Sequence, residues 1–270
     1  MFDRFIEVLG NAHFEAYVGG PIAGVVAAFL LQGFGGGSAK SENRPAEPLP
    51  VNIYKFRSTV LYKQGQSDNG FAFGAVIVGA LIAFLFAAFL PALTEGIQLL
   101  NAATVVFGLT SAVLGALNGW VRSMHWWLLA IFSSMVAAAC FVLIGMAFDA
   151  IHPDVVRYAQ NSFDANSDRL SHIFSAAFDF LKAVSPEYWR WMAWILVGFF
   201  LVIMCSISAT MRIVHYLALS KIAAGSSSQW WVAVAVRTRS YGTFKHLGFM
   251  VGSLVVAYWF ITGGAYRFFR

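Results

Sequence analysis

The chain has 270 residues, of which 59% are hydrophobic and 11% charged, with a formal net charge of +5 and a mean hydropathy of +0.68. A soluble domain is about 45–50% apolar and about 25% charged, so this balance excludes an ordinary water-soluble globule and fits a polytopic membrane protein. No polar stretch is long enough for a separate soluble domain, so residues 1–270 form one integral membrane domain, and the excess of bases suits cytoplasmic loops better than a nucleic-acid surface.

At the amino terminus, Asp3, Glu7 and Glu15 outweigh Arg4, the wrong charge for the start of a signal peptide. Phe2, Phe5, Ile6 and Leu9 share one helical face, so residues 1–16 are expected to be a retained amphipathic segment at the interface. A first span follows at residues 17–34. Its 18 residues and its Gly19, Gly20 and Pro21 leave both a crossing and a re-entrant dip open, with a crossing expected.

Residues 35–70 read as a basic cytoplasmic loop. It opens with a flexible GGGS and is interrupted by Pro45, Pro48 and Pro50. Its segment 51–63 has the β-branched and aromatic content of a strand or hairpin arm. Lys55, Arg57 and Lys63 there are candidates to contact anionic lipid or a partner; otherwise the loop simply lies at the headgroups.

A second span is expected at residues 71–93, with Ala75, Gly79, Ala83 and Ala87 in a small-xxx-small repeat and Pro91 ending or kinking it. The third, 94–120, is expected to return as the other arm of an antiparallel hairpin that turns near Glu95. This segment carries the main polar signal. Gln98, Asn101, Thr104, Gly108, Ser111, Gly115 and Asn118 recur every three or four residues and so line one helical face. Amides and hydroxyls facing lipid are costly, so the row must face protein or water. It either lines a water-filled path or hydrogen-bonds across helices.

Trp120, Arg122, Trp126 and Trp127 mark an interface before a fourth span that ends near Phe148. Residues 149–187 form an acidic external loop with six acids and three bases, and the apolar spacing of 170–184 predicts an amphipathic helix over the bundle mouth. A fifth span, 188–211, opens on an aromatic belt and continues as helix until Gly225 breaks it. The second basic cytoplasmic loop, 212–245, contains Arg212, Lys221, Arg237, Arg239 and Lys245 and no acid. Its WWVAVAV is too short to span and belongs at the interface. A sixth span, 246–266, carries the pair Gly248 and Gly252.

The expectation is therefore an all-α membrane bundle of about six transmembrane helices, or five if the first does not cross, with interfacial amphipathic helices. Placing 35–70, Arg122 and 212–245 on one side collects eleven bases and three acids there, against seven bases and ten acids opposite. That side is the cytoplasmic one, and the short loops and Phe- and Ala-rich spans suit a bacterial inner membrane.

Catalytic motifs are missing. GFGGGSAKS resembles a phosphate loop but has Phe34 and Ala39 where glycine is required. Cys140 and Cys205 have no CxxC neighbour and read as inert buried thiols. Asp149 with His152 could be a proton or metal site, or a solvated helix end. Arg212 with His215 could bind a phosphate or lipid headgroup, or anchor the helix at the interface. No charge is expected at mid-membrane, which argues against an ion-coupled carrier.

No enzyme activity, metal or cofactor is expected. The leading expectation is a homo-oligomeric or membrane-complex subunit, either a channel-like or a structural component, with 94–120 presenting its polar seam. The alternative is an anchor or receptor that binds a soluble cytoplasmic partner through 51–63 and 230–245, with Arg212, His215, Arg237, Arg239 and Lys245 as contacts. A lipid- or solute-directed enzyme or carrier is the weakest option, and nucleic acid is not an expected partner.

Overall fold

The computed structural model describes residues 21, 23–27, 68–119, 124–225 and 228–268, and the expectations for 1–16 and 51–63, including Lys55, Arg57 and Lys63, fall outside them. The described chain is all-helical. Helix α1 (Asp68–Leu117) is followed by α2 (Met124–Ala150), α3 (Pro153–Asn166), α4 (Leu170–Ala183), α5 (Pro186–Ala223) and α6 (Gln229–Arg237). A 3-10 turn (Arg239–Gly242) then leads into α7 (Phe244–Ile261) and the short α8 (Gly264–Phe268).

The expected hairpin between residues 71–93 and 94–120 is not formed. α1 is one helix of 50 residues with Pro91 inside it. Proline removes one backbone hydrogen bond, but reversing the chain also requires residues that leave the helical conformation. Among the described residues, the glycines with positive φ are Gly119, Gly225 and Gly263, and each lies just past the end of a long helix. Gly96, near the expected turn, stays helical, and Ala92, Leu93 and Glu95 around it are good helix formers.

Among the described residues, four helices are long and apolar enough to cross a membrane: Val78–Leu117, Trp126–Ala150, Pro186–Ala223 and Phe244–Ile261. This differs from the expected six because two expected spans lie on one continuous rod and most of the expected first span, 17–34, lies outside the described residues. At about 1.5 Å per residue, α1 extends roughly 75 Å, well beyond a hydrocarbon core of about 30 Å.

α1 and α5 run side by side in the same direction. The Phe86 and Phe199 rings are 5.1 Å apart, and further along Thr104 meets Thr210. α2 runs the opposite way, with Ser134 beside Gly108 and Gln98 beside Gly145. α7 is also antiparallel to α5: Met250 lies at Cys205, and Ala257 and Ile261 lie at Gly198. The bundle therefore has an acidic end, carrying α3 and α4, and a basic end, carrying α6 and the 3-10 turn.

The acidic stretch folds into two helices rather than one. α3 begins on Pro153, with His152 Nδ1 accepting from the Asp154 N–H at 3.4 Å. α4 matches the amphipathic helix expected at 170–184. Together they bury Val156, Ala159, Ala176, Ala177 and Phe180. Phe180 is 5.6 Å from both Phe84 and Trp189, and Phe84 also meets Phe163 at 6.5 Å. The ion pairs here, Arg157–Asp154 at 3.8 Å and Lys182–Asp179 at 3.7 Å, are exposed, so apolar packing rather than charge docks these helices onto α1.

α5 starts at Ser185-Pro186-Glu187, where the Ser185 hydroxyl accepts from the Tyr188 N–H at 3.3 Å and proline occupies the first turn. Its 38 residues continue past the expected interface at Met211 and stop at Gly225. This extension brings Arg212 and His215 against α6 and α7. The 212–245 region is thus mostly helical.

Candidate functional site at the basic end of the bundle

The polar row of α1 lies largely inside the chain. Asn101 and Ser111 are fully buried, Thr104, Gly108 and Gly115 are buried, and Gln98 is half-buried. Asn118 is exposed in the turn after the helix. Asn101 Nδ2 donates to Ile97 O at 2.9 Å, and Thr104 Oγ1 reaches both Leu100 O and Thr210 Oγ1 at 2.7 Å. A methyl group on Gly108 would strike Ser134 Oγ and Ile213, and one on Gly24 would strike the backbone of Ala103 and Phe107. The small residues therefore let four helical segments approach closely here. Thr94 Oγ1, Asn101 Oδ1, Ser111 Oγ and Ser134 Oγ are buried without hydrogen-bond partners.

The two cysteines, 65 positions apart in sequence, are both buried in the same hydrophobic core, on α2 and α5. Cys205 Sγ donates to Met250 O at 3.6 Å. Both thiols are free and buried.

At the basic end, Arg212, His215 and Tyr216 share one face of α5 at helical spacing. The Arg212 side chain is 1% exposed. Its Nη1 donates to Tyr241 O at 3.3 Å, and the guanidinium carbon lies 5.6 Å from the centre of the Tyr216 ring. Its Nε is buried with no partner. His215 Nδ1 is 3.0 Å from Thr238 Oγ1, which directs its own proton to Val234 O at 2.7 Å; the shared proton of the first bond therefore sits on Nδ1. The other edge of the ring lies against Gly242, where a methyl group would come within 2.6 Å of Nε2. Tyr216 donates its hydroxyl to Gly242 O at 3.2 Å.

His246, in the first turn of α7, completes the cluster. Its backbone N–H is capped by the Thr243 hydroxyl at 3.4 Å, its ring is edge-on to Tyr241 at 5.0 Å, and its Nε2 is buried without a partner. Both His215 and His246 lie close enough to Arg212 to feel its charge. Lys221 lies 5.9 Å from the Trp231 ring, which is wholly buried.

Of the contacts expected from sequence, the structure gathers Arg212 and His215, while Arg237, Arg239 and Lys245 are exposed. Asp149 and His152 are both exposed, and His152 caps the start of α3 through Nδ1 rather than joining Asp149 in a site. Sequence placed Arg212 at an interfacial helix end and missed its burial and the participation of Tyr216, Thr238, Tyr241, Gly242 and His246. The signal available was the i, i+3, i+4 spacing of Arg212, His215 and Tyr216, followed by a helix break at Gly225 that folds the next segment back. Among the described residues, no group of three or more His, Cys, Asp or Glu could hold a metal ion. No protein-family model, curated protein or solved structure matches the chain.

Proposed function

We propose that the protein is a structural subunit of a membrane complex and that it self-associates through one face of α7. The observation that carries this is the different fate of its small-residue seams. Gly24, Gly108 and Ser134 are consumed by packing within the chain. Gly248 and Gly252 have open space where a side chain would stand, and Val255, Val256 and Trp259, which continue the same face, are exposed. Two glycines four residues apart let a second helix backbone approach closely, and a second copy presents the same face in return. In a non-ionic detergent, wild type should sediment as an oligomer and Gly252→Leu should shift it to monomer with the helical content unchanged. An unshifted distribution would contradict the proposal.

A second reading, a polar path through the membrane, draws support from the unpartnered buried oxygens of Thr94, Asn101, Ser111 and Ser134. Polar atoms left without protein partners are the ones internal water would satisfy. On this reading Asn101→Leu with Ser111→Ala should abolish conductance in liposomes; on the structural reading no wild-type conductance is expected.

A further inference from the structure

We infer that the basic end of the bundle holds a phosphate-binding site built around Arg212, a role beyond self-association and independent of it. A buried guanidinium needs a counter-charge or a full set of hydrogen bonds, because the low-dielectric interior otherwise penalises the bare charge. Arg212 has one hydrogen bond, to Tyr241 O, and one aromatic face, that of Tyr216. Its Nε has no partner, and residues 212–245 contain five bases and no acid.

Another unpartnered nitrogen, His246 Nε2, flanks the same residue. Arg212 reaches the carbonyl of Tyr241 and His246 packs on its ring. His246 lies in the amino-terminal turn of the 18-residue α7, whose free N–H groups favour an anion, and Tyr241 lies just before it. Three kinds of donor thus converge from separate elements. A tetrahedral phosphate, with several acceptor oxygens, fits such a set better than a flat carboxylate, and arginine suits it in particular.

Tryptophans mark the level of the site. Trp126 Nε1 donates to Tyr216 O at 3.5 Å, so the aromatic pair Trp126 and Trp127 lies beside the cluster. Indoles gather at the headgroup layer, so the phosphate of an anionic lipid is within reach, as is a free phosphate from the aqueous side.

Native mass spectrometry of the full chain in non-ionic detergent tests this, with phosphatidylglycerol in one arm and inorganic phosphate in the other. Wild type should bind at least one probe. Arg212→Gln should weaken that binding about tenfold or more and His246→Gln by a smaller factor, while Arg237→Gln, an exposed base at the same end, should leave it within about twofold. Retention of phosphatidylglycerol in excess phosphate assigns a lipid headgroup; binding of phosphate alone assigns a soluble anion; either supports the site. Should Arg212→Gln fail to fold, Arg212→Lys, which keeps the charge but loses the planar fork, should still bind more weakly than wild type. Binding of neither probe by wild type, equal binding by wild type and a folded Arg212 variant, or an equal loss in Arg237→Gln would overturn it.

Discussion

At the scale of single residues, close approach is set by what is missing from a side chain. Gly242 lies against a His215 ring that is held by Thr238 and cannot swing away freely. Gly242→Ala should therefore lower stability by about 1–3 kcal/mol, the usual result of forcing atoms into a filled site. Thermal unfolding in detergent would show it, and an unchanged midpoint would mean that the ring is not so held. The Thr104–Thr210 hydroxyl contact at 2.7 Å makes a subtler claim. A double-mutant cycle with both residues changed to Val should give a coupling of about 0.6 kcal/mol, and no more than about 1.7 kcal/mol, the range for hydrogen bonds between membrane helices. Zero coupling would place the two helices further apart. The polar row itself was legible because its spacing is helical. The burial of Arg212 was not, since a base near a predicted interface has the same local sequence whether it points to water or into a fold.

At the scale of elements, apolar period located α4 to within a residue and carried α5 beyond the interface as far as Gly225. It did not show that α1 is continuous. A proline either ends or kinks a helix, and here the chain runs on through Pro91, since no glycine described between it and Gly119 adopts a positive φ. α3 was hidden for a different reason. Its stretch is polar overall, and only Val156 and Ala159 are buried against its neighbours. The docking of α3 and α4 on α1 centres on Phe180, which is wholly buried among Phe84, Tyr158 and Trp189. Phe180→Ala should weaken that docking by about 3–5 kcal/mol, the cost of removing a buried aromatic ring. Hydrogen exchange should then rise across 153–183 while α2 and α5 stay protected. Uniform exchange throughout the chain would instead make the acidic cap an integral part of the bundle core.

At the scale of the whole molecule, composition alone pointed to an all-helical protein with apolar spans, and the described chain has four helices able to cross a membrane. Counting spans from hydropathy failed where two apolar lengths joined end to end. The same joining decides what is left for a partner. α1, α2 and α5 enclose the polar row between them, whereas α7 keeps Gly248, Gly252 and Trp259 on its surface. The central claim is that copies meet at α7 and not along the row on α1. Disulfide trapping in native membranes tests it most directly, using a background in which Cys140 and Cys205 are replaced by Ala and a single cysteine is placed at position 104 or 252. Thr104→Cys should give no crosslink between chains and Gly252→Cys should give a strong one. Trapping at position 104 with none at 252 would contradict the account, placing the polar row on a shared axis between copies.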